Sequence, residues 1–179
     1  IGYSIIPCAD NKVPIGSWQK YQTTPRIEDE IDKLNSPLYG LVTGVNNVEV
    51  LDIDLKVINT AQEQITFWDE FLSFVKDNIY DFDDKFVIAK TKNAGYHILY
   101  RCQKIEGNKK IARLENSVEA IFETRGIGGM VIIYDNIVSN LDSYAKIQEI
   151  SIEDRDILLS SAKMYNYIDE KPIETGKEK

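Results

Sequence analysis

The chain has 179 residues, of which 43% are hydrophobic and 28% charged, as in soluble globular proteins of one ordinary domain or two small lobes. Its formal net charge of −8 argues against a simple nucleic-acid-binding module, because such modules carry a basic face. No apolar run approaches the roughly 20 residues that span a bilayer, and two cysteines and one histidine are too few for a disulfide framework or a Cys/His zinc site, so we expect free thiols in a reducing cytoplasm.

The first part of the chain predicts short elements. GYSIIPC (2–8) is typical of a strand. TTPRIEDEIDKLN (23–35) predicts a helix with Thr24 as its cap and Pro25 at the first helical position. YGLVTG (39–44) predicts a second brief strand.

The stretch NNVEVLDIDLK places two acids in an apolar run. Successive side chains of a strand point to opposite faces, so Leu51, Ile53 and Leu55 share a face that we expect in the core. Asp52 and Asp54 share the other face, with α-carbons roughly 6.5–7 Å apart. Two carboxylates this close resist ionising together unless a cation lies between them. The pattern predicts a strand that ends at a divalent metal; the alternative is two solvated or loop-capping acids.

The middle of the chain predicts a helix and a hairpin. Residues 61–79 carry apolar side chains at helical spacing, which predicts a stripe facing the core. The stripe consists of Ile65, Trp68, Phe71, Leu72, Val75 and Ile79. KFVIAKT and YHILYRC are strand-like runs separated by KNAG, which predicts a hairpin with His97 near its turn.

A second pair of strand-like runs, EAIFETRG and GGMVIIY, flanks GIGG and predicts another strand pair. Alternation along the first run places Glu123 at the end of a half-buried strand, with Arg125 on the same face. Three carboxylates on adjacent strand ends suit two divalent ions about 3.5–4 Å apart, as used in phosphoryl and nucleotidyl transfer. Ligation by oxygen alone favours Mg²⁺ or Mn²⁺.

The C-terminal run SIEDRDILLSSAKMYNYI (151–168) predicts a helix that begins with a capping box of Ser151 and Asp154. We expect one domain over 1–168 and a flexible tail over 169–179 that leads into a further C-terminal region. The chain begins at Ile1 rather than Met, so we expect a trimmed or processed piece. The order of elements predicts an α+β fold with largely antiparallel strands after the long helix.

Single residues outside the carboxylates indicate little by themselves. A lone histidine in a hairpin is more often structural, although His97 follows NAG, whose backbone amides can approach an anion closely. TRGIGG lacks the spacing of a P-loop or a dinucleotide fingerprint. Lys12 alone predicts only a solvated surface lysine.

Taken together, these segments resemble the bifunctional DNA primase/polymerase (prim-pol) domain of the archaeo-eukaryotic primase superfamily, found in bacteria, phages and plasmids. GYSIIPC with NKVPIGSWQKYQ is similar to its opening strand and Lys-x-Pro…Trp segment, and LVTGVNNVEVLDIDLK to its Thr-Gly loop and Asp-x-Asp strand. TKNAGYHILYRC resembles its Thr-x-x-Gly-Gly-x-His segment, and FETRGIGGMVI its acidic-x-Arg-Gly-x-Gly-Gly segment. ISIEDRDILLSSAKMYN resembles its closing helix, so the likeness covers nearly the whole chain.

The resemblance implies roles for seven residues, and an archaeo-eukaryotic primase-type fold with an RRM-like half and flanking helices. Its metal ligands would be Asp52, Asp54 and Glu123, and its nucleotide-binding residues His97, Arg125, Lys12 and Thr91, with His97 contacting phosphate. Two features depart from the family pattern. Ala94 replaces the first of two glycines, and VIIYDN stands where Pro-Pro-Ser is common.

The implied activity is DNA primase and DNA polymerase activity, a templated nucleotidyl transfer in the replication of a bacterial, phage or plasmid element. The implied cofactors are two Mg²⁺ or Mn²⁺ ions. The implied partners are a single-stranded DNA template, nucleoside triphosphates and a replicative helicase, with no membrane. Two alternatives stay open: a metal-dependent glycosyltransferase that uses Asp-x-Asp, and a non-catalytic nucleotide- or nucleic-acid-binding module, which the acidic net charge favours.

Overall fold

The computed structural model describes residues 2–26 and 28–167, which form eight strands, two long helices and one single helical turn. No helix within these residues is long and apolar enough to cross a membrane. The strands are β1 (Ile5–Cys8), β2 (Leu38–Val42), β3 (Val48–Asp54), β4 (Val87–Lys90), β5 (Gly95–Arg101), β6 (Lys109–Arg113), β7 (Ala120–Arg125) and β8 (Met130–Ile132). The helices are α1 (Glu28–Ile31), α2 (Ala61–Asn78) and α3 (Ile152–Lys163).

The strands form two sheets. The larger has the order β4-β5-β3-β7-β6 and the smaller the order β1-β2-β8. The paired strands of both sheets run antiparallel. The predicted α+β class and antiparallel arrangement are therefore confirmed, and so is the hairpin of β4 and β5.

The central strand β3 separates two apolar layers. Leu51 and Ile53 are buried in a cluster with Phe71 of α2 and Leu158 of α3. Val48 and Val50, on the opposite face, pack with residues of the smaller sheet. Their alternation agrees with the prediction, and it leaves Asp52 and Asp54 on the face that looks towards the smaller sheet.

Helix α2 covers Ala61–Asn78, close to the predicted 61–79, and the Thr60 side chain caps it by accepting a hydrogen bond from the backbone N–H of Glu63 at 3.2 Å. Trp68, Phe71 and Val75 are buried. The prediction was wrong for Ile65, which is 55% exposed and therefore does not belong to the buried stripe.

Helix α3 also has its predicted cap: the Ser151 hydroxyl accepts from the backbone N–H of Asp154 at 3.0 Å. The helix ends at Lys163 rather than 168. The chain then turns towards the larger sheet, where the N–H of Tyr167 donates to the carbonyl of Arg113 at 2.9 Å. Residue 168 and the tail over 169–179 lie outside the described residues.

Two predictions of local structure need correction. The helix expected from Pro25 is a single turn over Glu28–Ile31, because the N–H of Thr24 donates to Lys20 and so closes the preceding turn instead of capping a new one. GGMVIIY does not pair with EAIFETRG. Strand β8 pairs with β2 in the smaller sheet, since the turn after β7 carries the chain across to that sheet.

Candidate active site

Register between three neighbouring strands assembles the acidic site. Asp52 on β3 lies directly opposite His97 on β5 and Glu123 on β7. Asp54 lies opposite Gly95, where the β4–β5 turn ends and β5 begins. Because directly paired residues share a sheet face, these side chains project from one surface of the larger sheet.

A cleft of about 360 Å³ opens above this surface, between the larger sheet and β8. Six of the seven residues predicted for the site line it: Lys12, Asp52, Asp54, Thr91, His97 and Arg125. Lys12 enters from the loop after β1 and Thr91 from the β4–β5 turn. Asn93 and Tyr134, which the sequence did not indicate, also line the cleft.

Glu123, the seventh residue, lines an adjoining cleft of about 210 Å³ that shares Asp52, Asp54 and Arg125 with the first. Arg125 connects the two clefts. Its Nη2 lies 2.8 Å from Oε2 of Glu123, and its Nε lies 3.6 Å from Oδ2 of Asp52. The predicted proximity of Arg125 to Glu123 is therefore observed, with the guanidinium placed between two carboxylates.

Lys56 is a second cation of the site, which the sequence analysis missed. Its Nζ lies 2.9 Å from Oδ2 of Asp54 and 3.1 Å from Oε2 of Glu119. Lys56 lies in the 3-10 turn Leu55–Val57 that follows β3, so strand alternation does not predict its position. Asp54 also accepts a hydrogen bond from the backbone N–H of Lys56 at 3.2 Å.

These cations bear on whether the site suits a divalent metal. The donors fit, since carboxylate oxygens on adjacent strands are the ligands that Mg²⁺ and Mn²⁺ prefer. Within residues 2–26 and 28–167, however, no three acidic, histidine or cysteine side chains are gathered closely enough to hold one ion. Arg125 and Lys56 lie beside these carboxylates, so a metal ion held by the carboxylates would take the place of these side chains.

The pKa of Asp52 is raised above its ordinary value. Burial is the main cause, and the neighbouring charge of Asp54 adds to it, while Arg125 opposes both. A carboxyl group in this setting gains from a nearby positive charge. The site therefore favours a cation, whether it comes from a side chain or from solution.

His97 is buried in the floor of the cleft, three residues into β5 rather than at the turn itself. Its Nε2 lies 3.5 Å from Oδ1 of Asp52, and its Nδ1 is buried without a hydrogen-bond partner among the described residues. Burial, followed by the charges of Arg125 and Lys12, lowers its pKa to about 3. The imidazole is thus neutral near pH 7, and its contact with Asp52 is not an ion pair.

The β4–β5 turn brings its backbone close to the site. Ala94 adopts a left-handed φ of 45°, the conformation that glycine would take more easily. The carbonyl of Ala94 accepts from the N–H of Leu55 at 3.0 Å, which joins the turn to the end of β3. Gly95 leaves no room for a side chain, since an added Cβ would overlap the carbonyl oxygen of Ile53.

The turn after β7 is fixed by side chains from elsewhere. The Thr43 hydroxyl donates to the carbonyl of Gly126 at 2.6 Å, and the Asn108 side chain accepts from its N–H at 3.1 Å. A Cβ at Gly126 would overlap the carbonyl of Glu106. These contacts hold the backbone next to Arg125 in place.

Comparison with known proteins identifies one family. The family described as bifunctional DNA primase/polymerase, N-terminal, matches residues 1–154. That range includes the seven predicted site residues, both clefts and all eight strands. No curated protein matches the chain.

Proposed function

The chain belongs to the bifunctional DNA primase/polymerase family, and from that premise we propose that it joins nucleotides on a DNA template at the cleft around Asp52. Family membership supports nucleotidyl transfer of the primase/polymerase type in general. The observation that carries the finer proposal is the gathering of Lys12, Asp52, His97 and Arg125 in one cleft. Acidic and basic side chains there face the same space, as a triphosphate accompanied by cations requires.

We assign the carboxylates to cation binding. Asp52, Asp54 and Glu123 would hold two Mg²⁺ or Mn²⁺ ions, displacing Lys56 and Arg125 from them. Such ions, when bound, supply positive charge that activates the attacking hydroxyl and offsets the charge of the phosphates. The burial of Asp52 strengthens this interaction, because charges attract more strongly where water is partly excluded.

We assign the phosphates of the incoming triphosphate to Lys12, Arg125 and His97, with Thr91 at the rim. Arg125 suits this role because a guanidinium binds phosphate through two parallel hydrogen bonds. His97 has a buried, unpartnered Nδ1 and is neutral, so it can donate one hydrogen bond without adding charge.

The reaction needs no nucleophilic side chain. The 3′-hydroxyl of a primer, or of the first nucleotide, attacks the α-phosphate of the next triphosphate. A new phosphodiester bond forms as the bond between the α- and β-phosphates breaks, and pyrophosphate leaves. The contribution of the protein is to position these groups and to balance their charge.

The proposed setting is the replication of a bacterial, phage or plasmid element in the cytoplasm. The proposed partners are a single-stranded DNA template, nucleoside triphosphates and a replicative helicase, fused or separate. These proposals rest on the family resemblance.

The rival functions make different demands on the site. A glycosyltransferase that uses Asp-x-Asp gives no role to His97, whereas His97 lies directly opposite Asp52 in the same cleft. A non-catalytic binding module needs no cluster of carboxylates around a guanidinium. Both observations favour the nucleotidyltransferase.

The test is synthesis on a single-stranded DNA template with Mg²⁺ or Mn²⁺, with and without a primer. The proposal predicts a product whose sequence complements the template and which is absent when EDTA replaces the metal. Turnover of a nucleotide sugar without DNA synthesis would support the glycosyltransferase. Metal-independent binding without synthesis would support the binding module.

A further inference from the structure

A third cleft, of about 240 Å³ and called the back cleft below, lies on the opposite face of the larger sheet, between α2 and the edge strand β4. Its walls include Trp68, Leu72, Ile88, Lys90, Tyr96 and Val138. The volume is below the roughly 300–1,000 Å³ of pockets that enclose drug-sized ligands. The cleft therefore suits a single planar ring system rather than an extended molecule.

One wall of this cleft is an aromatic stack. The rings of Trp68 and Tyr96 are nearly parallel, with an interplanar angle of 7° and centroids 3.6 Å apart. Trp68 is buried, whereas Tyr96 is half-buried. Trp68 thus covers one face of the Tyr96 ring and fixes its orientation, as a rigid stacking surface requires.

The side chain of Lys90 lies over the other face of the Tyr96 ring without close contact. Lys90 is directly opposite Tyr96 in the β4–β5 register, and its Nζ lies 5.9 Å from the ring centroid. Because Trp68 closes the first face at 3.6 Å, this ammonium lies over the second. Among the described residues Lys90 forms no salt bridge, so its flexible side chain is free to move aside for a ring and to bind a phosphate.

The back cleft is joined to the cleft around Asp52 by one short turn. Lys90 lines the back cleft, and Thr91, the next residue, lines the cleft around Asp52. Likewise Tyr96 and His97 are neighbours in β5 that project to opposite faces of the sheet. A single-stranded nucleic acid that leaves the cleft around Asp52 over this turn would pass to the opposite face of the sheet, where Tyr96 lies.

From these observations we infer that Tyr96 and Lys90 form a binding site for one base of a single-stranded nucleic acid, with the base stacked on Tyr96 and its phosphate on Lys90. Stacking on aromatic side chains flanked by cations is how proteins bind single strands irrespective of sequence. The inference rests on the proposed function only for the choice of partner. A free nucleotide offers the same chemistry, and the experiment distinguishes the two.

The experiment measures the affinity of a fluorescein-labelled single-stranded oligonucleotide by anisotropy, without metal or synthesis. Tyr96→Leu should weaken binding about fivefold or more, because this is the effect of losing one stack between a base and an aromatic ring in single-strand-binding proteins. Tyr96→Phe, which keeps the ring, should bind as the wild type does. The matched control is Tyr80→Leu, because Tyr80 is 82% exposed and lies outside this cleft. Lys90→Ala should lower the salt slope by about 0.7.

Cross-linking locates the base directly. An oligonucleotide containing 5-bromouracil, irradiated on the wild-type protein, should cross-link to the peptide that contains Tyr96. Unchanged affinity in Tyr96→Leu, or cross-links confined to other peptides, would overturn the inference. If Tyr96→Leu weakened the binding of a free nucleoside triphosphate as much as it weakened that of the oligonucleotide, the cleft would be assigned to mononucleotides, which would also overturn the inference. Failure of the wild type to synthesise DNA, with these binding results intact, would count against the proposed function alone.

Discussion

Asp52 lies between a neutral partner and a charged one. His97 approaches one carboxylate oxygen at 3.5 Å, and Arg125 approaches the other at 3.6 Å. The low pKa of His97 and the raised pKa of Asp52 share a main cause, which is burial in the floor of the cleft. At the scale of residues the site is therefore a half-buried acid whose charge is balanced from the solvent side, by Arg125 or by a bound cation.

His97 should make folding stability depend on pH. Its pKa is about 3 in the folded protein and near 6.5 when unfolded, so below pH 6.5 the unfolded chain binds a proton that the folded chain does not. Stability should therefore fall by about 1.5 kcal/mol between pH 6.5 and pH 5. His97→Gln should remove this part of the fall, and urea unfolding at the two pH values measures it. The chain has one histidine, so an equal fall in both proteins would contradict the buried, neutral state of His97.

At the scale of elements, β3 carries acids on both faces with different partners. Glu49 is fully buried on the helix side, where Nε and Nη2 of Arg155 on α3 contact its carboxylate at 2.6 and 2.9 Å. The Tyr100 hydroxyl donates to the same carboxylate at 2.8 Å. This cluster attaches α3 to the strand that ends at the cleft around Asp52.

Removing one charged partner of this cluster should lower the stability of the fold. Arg155→Met leaves the Glu49 carboxylate buried without its cation, so we expect a loss of about 3–5 kcal/mol in the free energy of unfolding. Replacing both partners, as in Glu49→Leu with Arg155→Met, should recover most of that loss. Lys85→Met, which removes the more exposed Lys85–Asp154 pair, is the matched control and should cost less than about 1 kcal/mol. Similar losses from all three changes, measured in urea, would contradict this account.

The sequence predicted elements whose determinants are local. Alternation predicted both faces of β3, and the hydroxyl of Ser151 marked the start of α3. The prediction from sequence failed where a contact between residues far apart in the chain determines the structure. Two strands beside a short turn favour a hairpin, but β8 pairs with β2, while Thr43 and Asn108 hold the intervening turn.

The same limit applies to the candidate site. Spacing along β3 indicated Asp52 and Asp54, alternation in EAIFETRG indicated Glu123 and Arg125, and the family resemblance added roles for His97, Lys12 and Thr91. The insertion of Arg125 between Asp52 and Glu123 depends on which strands are neighbours, and no local pattern gives that order. Lys56 lies in a turn beyond β3, and neither its position nor those of Tyr134 and the back cleft follow from a local pattern.

At the scale of the whole molecule, the two sheets divide the face of β3 into an apolar half and an acidic half. Val48 and Val50 fill the space between the sheets with Leu41 and Val131. Asp52 and Asp54 follow where the sheets leave a cleft. The net charge of −8 does not describe this cleft, because Lys12, Lys56 and Arg125 also line it.

Ligand binding at this cleft should stabilise the whole fold. Mg²⁺ or Mn²⁺ together with a nucleoside triphosphate binds only the folded protein, and at a hundredfold excess over Kd it should add about 2.7 kcal/mol. For a chain of this length that raises the Tm by several degrees. Differential scanning fluorimetry with metal and nucleotide, against nucleotide with EDTA, measures the shift. An equal shift in Asp52→Asn would place the nucleotide elsewhere.

The central claim is that the carboxylates of this cleft carry nucleotidyl transfer. The most direct measurement is the single-turnover rate of incorporating one complementary nucleotide into a primed DNA template, for the wild type, Asp52→Asn and the exposed control Glu70→Gln. We predict that Asp52→Asn abolishes incorporation while its Tm without metal stays level or rises, because a buried charge repelled by Asp54 is removed. Glu70→Gln should match the wild type. A rate in Asp52→Asn within tenfold of the wild type, about 1.4 kcal/mol in activation free energy, would contradict the claim.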